Sequence, residues 1–483
     1  MVEISIKDVI IDDFVYAREQ KDSKNIEVLV EKLKAGIILD PIQIQRVSGY
    51  EFTSLETKPG EEKKEVIILL DGGHRLDAYE EYNKLAQQEV EELGGYKEQQ
   101  PTFIFYQDEV LDYEQNKLKL LVHAHNINDD KGLNARMQDT RKAARNMKLA
   151  NPNLTAEDIG RELRRARSTI TPYIQDIVQR QQASDKRIVV RLSKLGWTQT
   201  EISEIIGKTH QRVAQIANNV DTNIICNSYQ EGKSIEEIAS FNDLDIQTTW
   251  NIVLDGKSDE ERAKELGIDI KKYSTWNYTS AHELMGNSEF KGRIPGEIPF
   301  NIIHWFSKQD DLVIDPMAGS GTTIDAALLL NRKCRGYDIS PSRPEIKQAD
   351  TTKEIPDSKK ADLIFVNPPY WKVVDYDCPL CKRTLDEFYD GMLALAQNCY
   401  GLLKEGGYLA FMMGNQSTKI DDCYQPTLNL IDPTKQRILE TGFKWYMDIS
   451  CPYPTEGANI WAQAKWDKGY LADLKREIMV FRR

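Results

Sequence analysis

The chain has 483 residues, of which 40% are hydrophobic, and a net charge of −13 at pH 7. This length is too great for one hydrophobic core, so we expect two to four domains, and the composition excludes a fully disordered chain. No run of about 18 apolar residues occurs, so we expect no contact with a membrane. The N-terminal MVEISIKDV lacks the apolar segment of a secretory signal, and the seven cysteines are scattered. These features predict a cytoplasmic protein.

Basic residues are concentrated in the middle of the chain. Between residues 131 and 212 there are 17 Lys and Arg against 8 Asp and Glu, a net charge of +9. The other residues of the chain therefore carry a net charge of −22. A basic middle between acidic ends fits a DNA-binding surface confined to one region. A solvated helical surface would give the same pattern.

Residues 1–133 mix strand and helix patterns, which predicts an α+β domain. VIILLDGG at 66–73 indicates a buried strand that runs into a turn, and PTFIFYQ at 101–107 indicates another strand. Paired glycines at a strand-to-helix turn, followed by an arginine, are typical of an anion-binding loop.

This region resembles the N-terminal domain of ParB-like partition proteins. The resemblance rests on ISIKDVIIDDFVYAREQ, IEVLVEKLKAGIILDPIQIQRV and DGGHRLDAYEEY. It implies a nucleotide-binding loop made of Gly72, Gly73, His74 and Arg75, with Arg18 nearby. The glutamate usual in partition proteins is replaced, so we do not expect nucleotide hydrolysis. A scaffold that helps to grip DNA is the alternative.

Residues 134–260 have helical periodicity and contain three similar units, which predicts a central all-α region. The units begin at Thr155, Thr198 and Ser234. In each unit an acidic residue stands two or three positions after this first residue, as at the capped start of a helix. Each unit has a short helix, a break of about four residues and a second helix with polar residues at its start. This is the helix-turn-helix pattern of DNA-binding proteins.

The middle unit shows the pattern most clearly, with apolar Ile202 and Val213 on either side of a turn at Gly207. A plain helical bundle is the alternative, and the acidic third unit could serve for packing alone. The residues that we expect to face DNA are Arg164, Arg165, Arg167 and Ser168 in the first unit and Thr209, His210, Gln211 and Arg212 in the middle unit.

Residues 275–483 alternate between strands and helices. The predicted strands are LVID, CRGYD, DLIFV, GYLAFMM and EIMVF. Such alternation predicts an α/β domain with a parallel, Rossmann-like sheet flanked by helices.

The run DPMAGSGTT at 315–323 follows the first of these strands, at the edge of the sheet where α/β proteins bind ligands. Gly319 and Gly321 would let the backbone approach a ligand closely. The next strand ends in Asp338, which is suited to accept hydrogen bonds from ribose hydroxyls, and Asp350 is placed to contact an adenine amino group. A phosphate-binding turn is also glycine-rich, but the Gly-Lys-Ser/Thr of a Walker loop is missing.

The segment NPPY at 367–370 follows a later strand. An exocyclic amine is a poor nucleophile because its lone pair conjugates into the ring. The amide oxygen of Asn367 and the carbonyl of Pro368 would favour a tetrahedral nitrogen. Pro369 stiffens the loop, and Tyr370 offers a face for stacking an extruded base. An ordinary proline-rich turn is the alternative.

With the glycine-rich run upstream, NPPY resembles the amino-methylating DNA methyltransferases, which modify adenine N6 or cytosine N4. The resemblance implies a Rossmann-like methyltransferase domain, S-adenosyl-L-methionine as cofactor, double-stranded DNA as partner, and Asn367, Pro368, Pro369 and Tyr370 as catalytic residues. NPPY favours adenine N6, and N4-cytosine methylation is the alternative. The cofactor-binding residues that the resemblance implies are Ile294, Pro295, Asp315, Pro316, Ala318, Gly319, Ser320, Gly321, Thr322, Asp338 and Asp350.

Only 113 residues follow Tyr370, which leaves little room for a separate target-recognition domain. We therefore hypothesise that the helix-turn-helix region selects the DNA site. On this hypothesis, deleting residues 134–260 would abolish site-specific methylation and leave cofactor binding intact. A ParB-like regulatory protein with a non-catalytic cofactor-binding domain is the second hypothesis.

Three further expectations concern source, assembly and metal. The fused layout resembles enzymes encoded by phages or mobile elements, which implies a bacterial or phage-infected cell. A homodimer is compatible with the sequence. Cys378 and Cys381 have metal-ligand spacing, but a zinc site needs two more ligands, so we predict a tight turn and no metal.

Overall fold

The computed structural model describes residues 4–16, 22–50, 65–92, 97–130, 137–278, 280–290, 292–371, 384–420, 423–453, 467 and 472–483. The chain forms two compact units, Met1–Gln182 and Ala183–Arg483. This division differs from the three segments that the sequence patterns predicted, 1–133, 134–260 and 275–483. Across the described residues, no helix is long and apolar enough to cross a membrane.

The first unit contains a small mixed sheet and the helices around it. After a short 3₁₀ helix, Ile6–Asp8, its elements are β1 (Val9–Ile10), α1 (Ser23–Lys34), β2 (Ile42–Ser48), β3 (Val66–Asp71), α2 (Gly73–Glu92), β4 (Phe103–Phe105), β5 (Leu111–Asp112), α3 (Tyr113–Asp130), α4 (Met137–Ala150), α5 (Ala156–Glu162) and α6 (Arg167–Lys194), which continues into the second unit.

Strand order in this sheet is β1-β3-β2-β4, and β5 also pairs with β2. The predicted strands at 66–73 and 101–107 are confirmed as β3 and β4. Side chains of β3 alternate between two cores: Ile68 and Leu70 lie in one cluster, and Leu69 packs with Leu76 of α2 in the other. Burial on both faces explains why β3 is continuously apolar.

The second unit contains the large sheet. Its further elements are α7 (Gln199–Ile206), α8 (His210–Asn218), α9 (Thr222–Gln230), α10 (Ile235–Phe241), α11 (Ile246–Val253), α12 (Asp259–Glu265), α13 (Glu297–Phe306), β6 (Leu312–Asp315), α14 (Thr322–Leu329), β7 (Lys333–Asp338), β8 (Ile346–Gln348), β9 (Ala361–Val366), α15 (Leu385–Leu402), β10 (Leu403–Gly414), β11 (Gln416–Ile420), β12 (Cys423–Leu428), α16 (Ile431–Glu440), β13 (Lys444–Ser450) and β14 (Arg476–Arg482).

Strand order in the large sheet is β13-β14-β10-β9-β6-β7-β8, and β11 and β12 form a separate hairpin. Pairing from β10 to β8 is parallel, as predicted, whereas β14 runs antiparallel to both β10 and β13. All five predicted strands are confirmed. The pattern missed the short β8, the hairpin and β13, because few residues or little alternation leave a weak periodic signal.

The helices from the end of α6 to α12 share a core with the large sheet. Val189, Trp197 and Val213 belong to the same buried cluster as Ile298 and Leu328. These helices are too short to bury their apolar faces against one another alone, so they pack on α13, α14 and the strands beneath.

Polar contacts reinforce this packing. Asn251 of α11 donates to the Leu328 carbonyl at 2.7 Å, and Arg262 donates to the Leu329 carbonyl at 2.9 Å. The third helix-turn-helix unit therefore packs inward. The expectation that residues 134–260 can be removed without disturbing the cofactor region does not agree with this arrangement, because the deletion would open the shared core.

Candidate active site

A cavity of about 330 Å³ lies at the carboxyl ends of β6, β7 and β9. Strand β6 pairs with β7 on one side and with β9 on the other, so the chain connections diverge here. Open α/β sheets bind ligands at this kind of position. The sequence-predicted residues that line the cavity are Ile294, Asp315, Pro316, Ala318, Gly319, Ser320, Thr322, Asp338, Asp350, Asn367, Pro368 and Pro369.

The glycine-rich loop between β6 and α14 is tied to the end of β7. The amide of Ala318 donates to the Tyr337 carbonyl at 2.8 Å, and the amide of Gly319 donates to Asp338 Oδ2 at 2.9 Å. Ser320 Oγ and Thr322 Oγ1 form a buried hydroxyl pair at 2.9 Å. The loop therefore has a fixed shape against the strand that carries Asp338.

Two positions of this loop require glycine, because of their backbone conformation and the side chains that lie close to them. Gly319 has φ +49°, and a Cβ there would stand 3.2 Å from the ring of Phe290. Gly321 caps α14 with φ +80°, and a Cβ there would stand 2.7 Å from a guanidinium nitrogen of Arg343. Gly321 thus shapes the loop from behind, because it is not among the residues that line the cavity.

Asp315 is buried at the base of this loop. Its Oδ1 accepts a hydrogen bond from the Met317 amide at 3.0 Å. Burial raises the pKa of Asp315 to about 7, although hydrogen bonds from Thr323 and Met317 oppose the rise. The carboxyl is therefore close to the balance between its neutral and charged forms at neutral pH.

Asp338 and Asp350 stand on the opposite wall. Asp338 accepts from the amides of Gly319 and Ser340, both at 2.9 Å, and its oxygens retain further acceptor capacity. Partial burial opposes ionisation of Asp350, but bonds from Thr352 and Lys353 outweigh it and lower the pKa of Asp350. Both acids can accept hydrogen bonds from a polar ligand.

The segment before α13 forms a third wall, with Phe290, Arg293 and Ile294. Arg293 Nε donates to the Met285 carbonyl at 2.9 Å, and another nitrogen of the same group donates to the His282 carbonyl. Arg293 thus holds its own segment in place. Pro295 follows Ile294 but is not among the lining residues. Neither helical nor strand periodicity marked Phe290.

Asn367, Pro368 and Pro369 line the cavity from the end of β9. Tyr370 does not line it: its ring packs against a core cluster, and its hydroxyl lies 3.5 Å from Asn367 Oδ1. Burial and the neighbouring Tyr453 raise the pKa of Tyr370 well above its ordinary value. The sequence patterns did not identify Tyr453, because it lies beyond β13 and meets NPPY only in the folded chain.

A buried group of charges lies behind the loop. Asp325 of α14 accepts from Arg191 of α6, from both terminal nitrogens of Arg343 at 2.9 Å, and from the Gly286 amide at 2.8 Å. Arg191 also binds Asp245 at 3.0 Å and Glu345 at 2.9 Å. A Cβ at Gly286 would stand 2.8 Å from Ser320 Oγ, so this charge group lies directly behind the glycine-rich loop.

The predicted DNA-facing residues fall on two helix starts. Arg164, Arg167 and Ser168 are exposed and Arg165 is half-buried, between α5 and the start of α6 in the first unit. Thr209, His210, Gln211 and Arg212 are exposed at the start of α8 in the second unit.

Thr209 is the N-cap of α8, and its side chain accepts from the Arg212 amide at 3.2 Å.

The polar groups of the predicted nucleotide-binding loop, at the start of α2, form hydrogen bonds with other residues of the protein. Arg75 donates to Asp71 at 2.7 Å and to the Asp40 and Pro41 carbonyls. The Gly73 amide donates to the Tyr16 hydroxyl, and His74 Nε2 accepts from the Asp22 amide. At Gly72, φ is +99° and a Cβ would stand 3.0 Å from Arg75.

Arg18, Cys378 and Cys381 lie outside the described residues. Within the described part of the chain, there is no group of three or more His, Cys, Asp and Glu that could hold a metal ion.

Residues 177–349 match the sequence model of a family described as DNA methylase, the N6/N4 methyltransferases. The match covers just over a third of the chain, so it is a similarity of this segment to the N6/N4 DNA methylases. The family match implies S-adenosyl-L-methionine as the cofactor. It begins in α6 and ends at β8, so it includes the helices α7–α12 as well as the glycine-rich loop.

Individual relatives are distant. The type II methyltransferase M.MjaI of Methanocaldococcus jannaschii is 32% identical over 98 residues, which are 19% of this chain and 32% of that protein. The chain therefore spans about a third of the length of that curated relative.

Among solved structures, TrmN from Thermus thermophilus is 15% identical, with a TM-score of 0.27 over 40% of this chain and 50% of that one. A methyltransferase from Pyrococcus furiosus is 15% identical, with a TM-score of 0.27 over 46% of this chain and 93% of that one.

The cavity residues fit S-adenosylmethionine. The volume of about 330 Å³ lies within the range of roughly 300–1,000 Å³ that ligand sites usually have. Asp338 and Asp350 provide carboxylate acceptors, Ile339 and Phe365 provide apolar walls, and Gly319 permits close approach of the backbone.

Proposed function

We propose that this protein transfers a methyl group from S-adenosylmethionine to adenine N6 in double-stranded DNA. The observation that carries the proposal is a single cavity lined by Gly319 and Asp338 of the cofactor region and by Asn367 and Pro368 of NPPY. The family match supports a DNA substrate and an amino target. The choice of adenine as the target base rests on the asparagine that begins NPPY.

The cofactor, when bound, supplies a methyl group activated by a sulfonium. Asn367 Oδ1 and the Pro368 carbonyl would accept hydrogen bonds from the two N–H groups of the target amine, which concentrates its lone pair on the nitrogen and directs it into the cavity. The base must leave the duplex to reach these acceptors. The rigid Pro368-Pro369 pair holds the acceptors in place and lacks amide donors that would compete for them.

Helix-turn-helix residues would select the DNA site. Gln211 and Arg212 at the exposed start of α8 have side chains that can bind base edges in a major groove, and Arg167 and Ser168 at the start of α6 form a second such group. The internal hydrogen bonds of Gly73, His74 and Arg75 favour a scaffold role for the N-terminal loop over a nucleotide site.

Tritium transfer from labelled S-adenosylmethionine to DNA tests the proposal. We expect the wild-type protein to label DNA, and Asn367→Ala to reduce the rate at least about 100-fold, since it removes an acceptor used in the transition state. Cofactor affinity, measured by calorimetry, should change little in this variant.

Nucleoside analysis of the labelled DNA identifies the base. N6-methyladenine is the expected product, and N4-methylcytosine would refute the choice of base while keeping the reaction type. Cofactor binding without any transfer to DNA would refute the enzymatic proposal in favour of a regulatory DNA-binding protein.

A further inference from the structure

A side-chain hydrogen bond from Gln416 holds the far end of the NPPY loop. The parallel pairing of β9 with β10 ends at Val366, which stands opposite Phe411. The two prolines of NPPY have no N–H group, so they cannot donate to a continued backbone ladder. Trp371 and Gln416 lie the same number of residues beyond the last pair, and there Gln416 Nε2 donates to the Trp371 carbonyl. The side chain thus restores a bond between the two chain segments after the gap that the prolines create.

Both partners of this bond are buried. Gln416 is 7% exposed and Trp371 is 4% exposed, and the Trp371 ring belongs to the same core cluster as Met413 of β10. Gln416 also begins β11, where it pairs with Leu428 of β12. The chain that follows β9 is therefore held at two points, by the strand pairing at Val366 before NPPY and by Gln416 after it.

The second polar atom of the Gln416 side chain is buried without a partner. Oε1 has no hydrogen bond with any residue that the structure describes. The amide cannot be turned round, because the Trp371 carbonyl only accepts hydrogen bonds. A buried acceptor without a partner lowers stability, which an apolar side chain of the same length would avoid. Stability therefore does not account for a glutamine at this position, whereas the hold on the Trp371 carbonyl does.

We infer that Gln416 is a positioning residue: by holding the Trp371 carbonyl, it fixes the loop that presents Asn367 Oδ1 and the Pro368 carbonyl to the target amine. Gln416 does not line the cavity, so it acts through the loop. The inference rests on the proposed function, in which these two oxygens accept hydrogen bonds from the amine. A displacement of about 1 Å at a reacting centre can lower the rate about 100-fold, so the position of this loop matters for the reaction.

Gln416→Met removes both amide groups and keeps the length of the side chain. We expect kcat for DNA methylation to fall at least about tenfold, because the two acceptors are no longer held in place. The affinity for S-adenosylmethionine and the KM for DNA should stay close to the wild-type values. Thermal stability should change little, since the loss of one hydrogen bond is offset by the removal of a buried, unpaired oxygen. A role in folding alone would lower stability and leave kcat unchanged.

Gln416→Asn is a second variant that keeps an amide. Its side chain is one methylene shorter and does not reach the Trp371 carbonyl, so kcat should fall as in Gln416→Met. A wild-type kcat in either variant would overturn the inference.

Asn415→Leu is the matched control at the neighbouring position. Asn415 Oδ1 accepts from the Leu430 amide at 3.3 Å, and Asn415 Nδ2 donates to Asp473 at 3.2 Å, so this side chain has no part in holding NPPY. The variant should lower thermal stability, because the buried Leu430 amide loses its acceptor, and should keep kcat close to the wild-type value. If Asn415→Leu slowed methylation as much as Gln416→Met, the bond to Trp371 would have no special role and the inference would fail.

Hydrogen–deuterium exchange of the full chain supplies a readout that does not depend on activity. The amides of Asn367, Tyr370 and Trp371 should exchange faster in Gln416→Met than in the wild type, while those of β9 exchange at the wild-type rate. If the wild type fails to label DNA, the proposed function is refuted, and the exchange comparison still decides whether Gln416 holds the loop. Equal exchange in the two proteins would refute that hold.

Discussion

At the scale of single residues, Asp315 couples the cofactor loop to pH. Burial raises the pKa of Asp315 to about 7, from an ordinary value of 3.8. At pH values between 3.8 and about 7, Asp315 is protonated in the folded protein and ionised in the unfolded chain. The stability that neutral Asp315 contributes is therefore fully present below about pH 4 and is lost as the pH rises through about 7.

Asp315→Asn should flatten the dependence of stability on pH. The asparagine keeps the shape and cannot ionise, so the free energy of unfolding of the wild type should fall by roughly 2–3 kcal/mol more than that of the variant between pH 5 and pH 8. Urea unfolding in matched buffers measures both. Parallel curves would show that Asp315 is not protonated in the folded protein.

Asp338→Ala should weaken binding of S-adenosylmethionine about 10- to 100-fold, because hydrogen bonds to a charged acceptor contribute roughly 1.5–3 kcal/mol. Isothermal titration calorimetry with the cofactor alone measures the change. Glu354→Ala is the matched control, since Glu354 is an exposed acid outside the cavity lining. Equal affinities for both variants would remove Asp338 from the cofactor site.

At the scale of elements, the start of α8 allows helix capping and the proposed DNA recognition to be tested separately. Thr209→Ala removes the side chain that caps the helix and should cost about 1 kcal/mol of stability, with the preferred DNA sequence unchanged. Gln211→Ala leaves the cap intact. If Gln211 contacts a base edge, this variant should lose about 1–3 kcal/mol of discrimination between the preferred base and the other bases at that position. Thermal unfolding and methylation-sensitive sequencing measure the two effects.

The charge group behind the glycine-rich loop connects α6, α11 and α14. Arg191→Met would leave Asp325, Asp245 and Glu345 with one cation fewer inside the protein. Since removing one partner from a buried ion network is costly, we expect a loss of about 3–5 kcal/mol in urea unfolding.

The control for this prediction is Arg187→Met, one turn earlier on α6, where the side chain is exposed. That change should cost less than about 0.5 kcal/mol. Similar losses for the two variants would mean that the charge group contributes little to stability.

At the scale of the whole molecule, the shared core predicts which fragments fold. A fragment of residues 183–483 keeps the cluster that joins Trp197 and Val213 to Ile298 and Leu328, whereas a fragment of residues 275–483 exposes the far side of that cluster. We expect the first to unfold cooperatively and to bind S-adenosylmethionine. The second should aggregate or bind a hydrophobic dye. Cofactor binding by the shorter fragment would contradict this prediction.

Local patterns predicted much of the second unit. Buried strands such as LVID and DLIFV are short apolar runs between turn residues, and their ends meet at one edge of a parallel sheet by the rules of chain connection. The meeting of DPMAGSGTT and Asn367 at one cavity could therefore be anticipated. Tyr453 could not, because it follows an edge strand whose sequence, KWYMDIS, lacks clear alternation.

The amino-acid sequence by itself determined the strands of the large sheet, the glycine-rich loop and the acceptors of NPPY, because each depends on residues close together in the chain. Only the tertiary structure decided that the short helices after α6 belong to the core of the large sheet, that Arg191 supports the loop through Asp325, and that Tyr453 meets Tyr370. These contacts join residues separated by long stretches of chain, and packing and burial select them, which no local periodicity encodes.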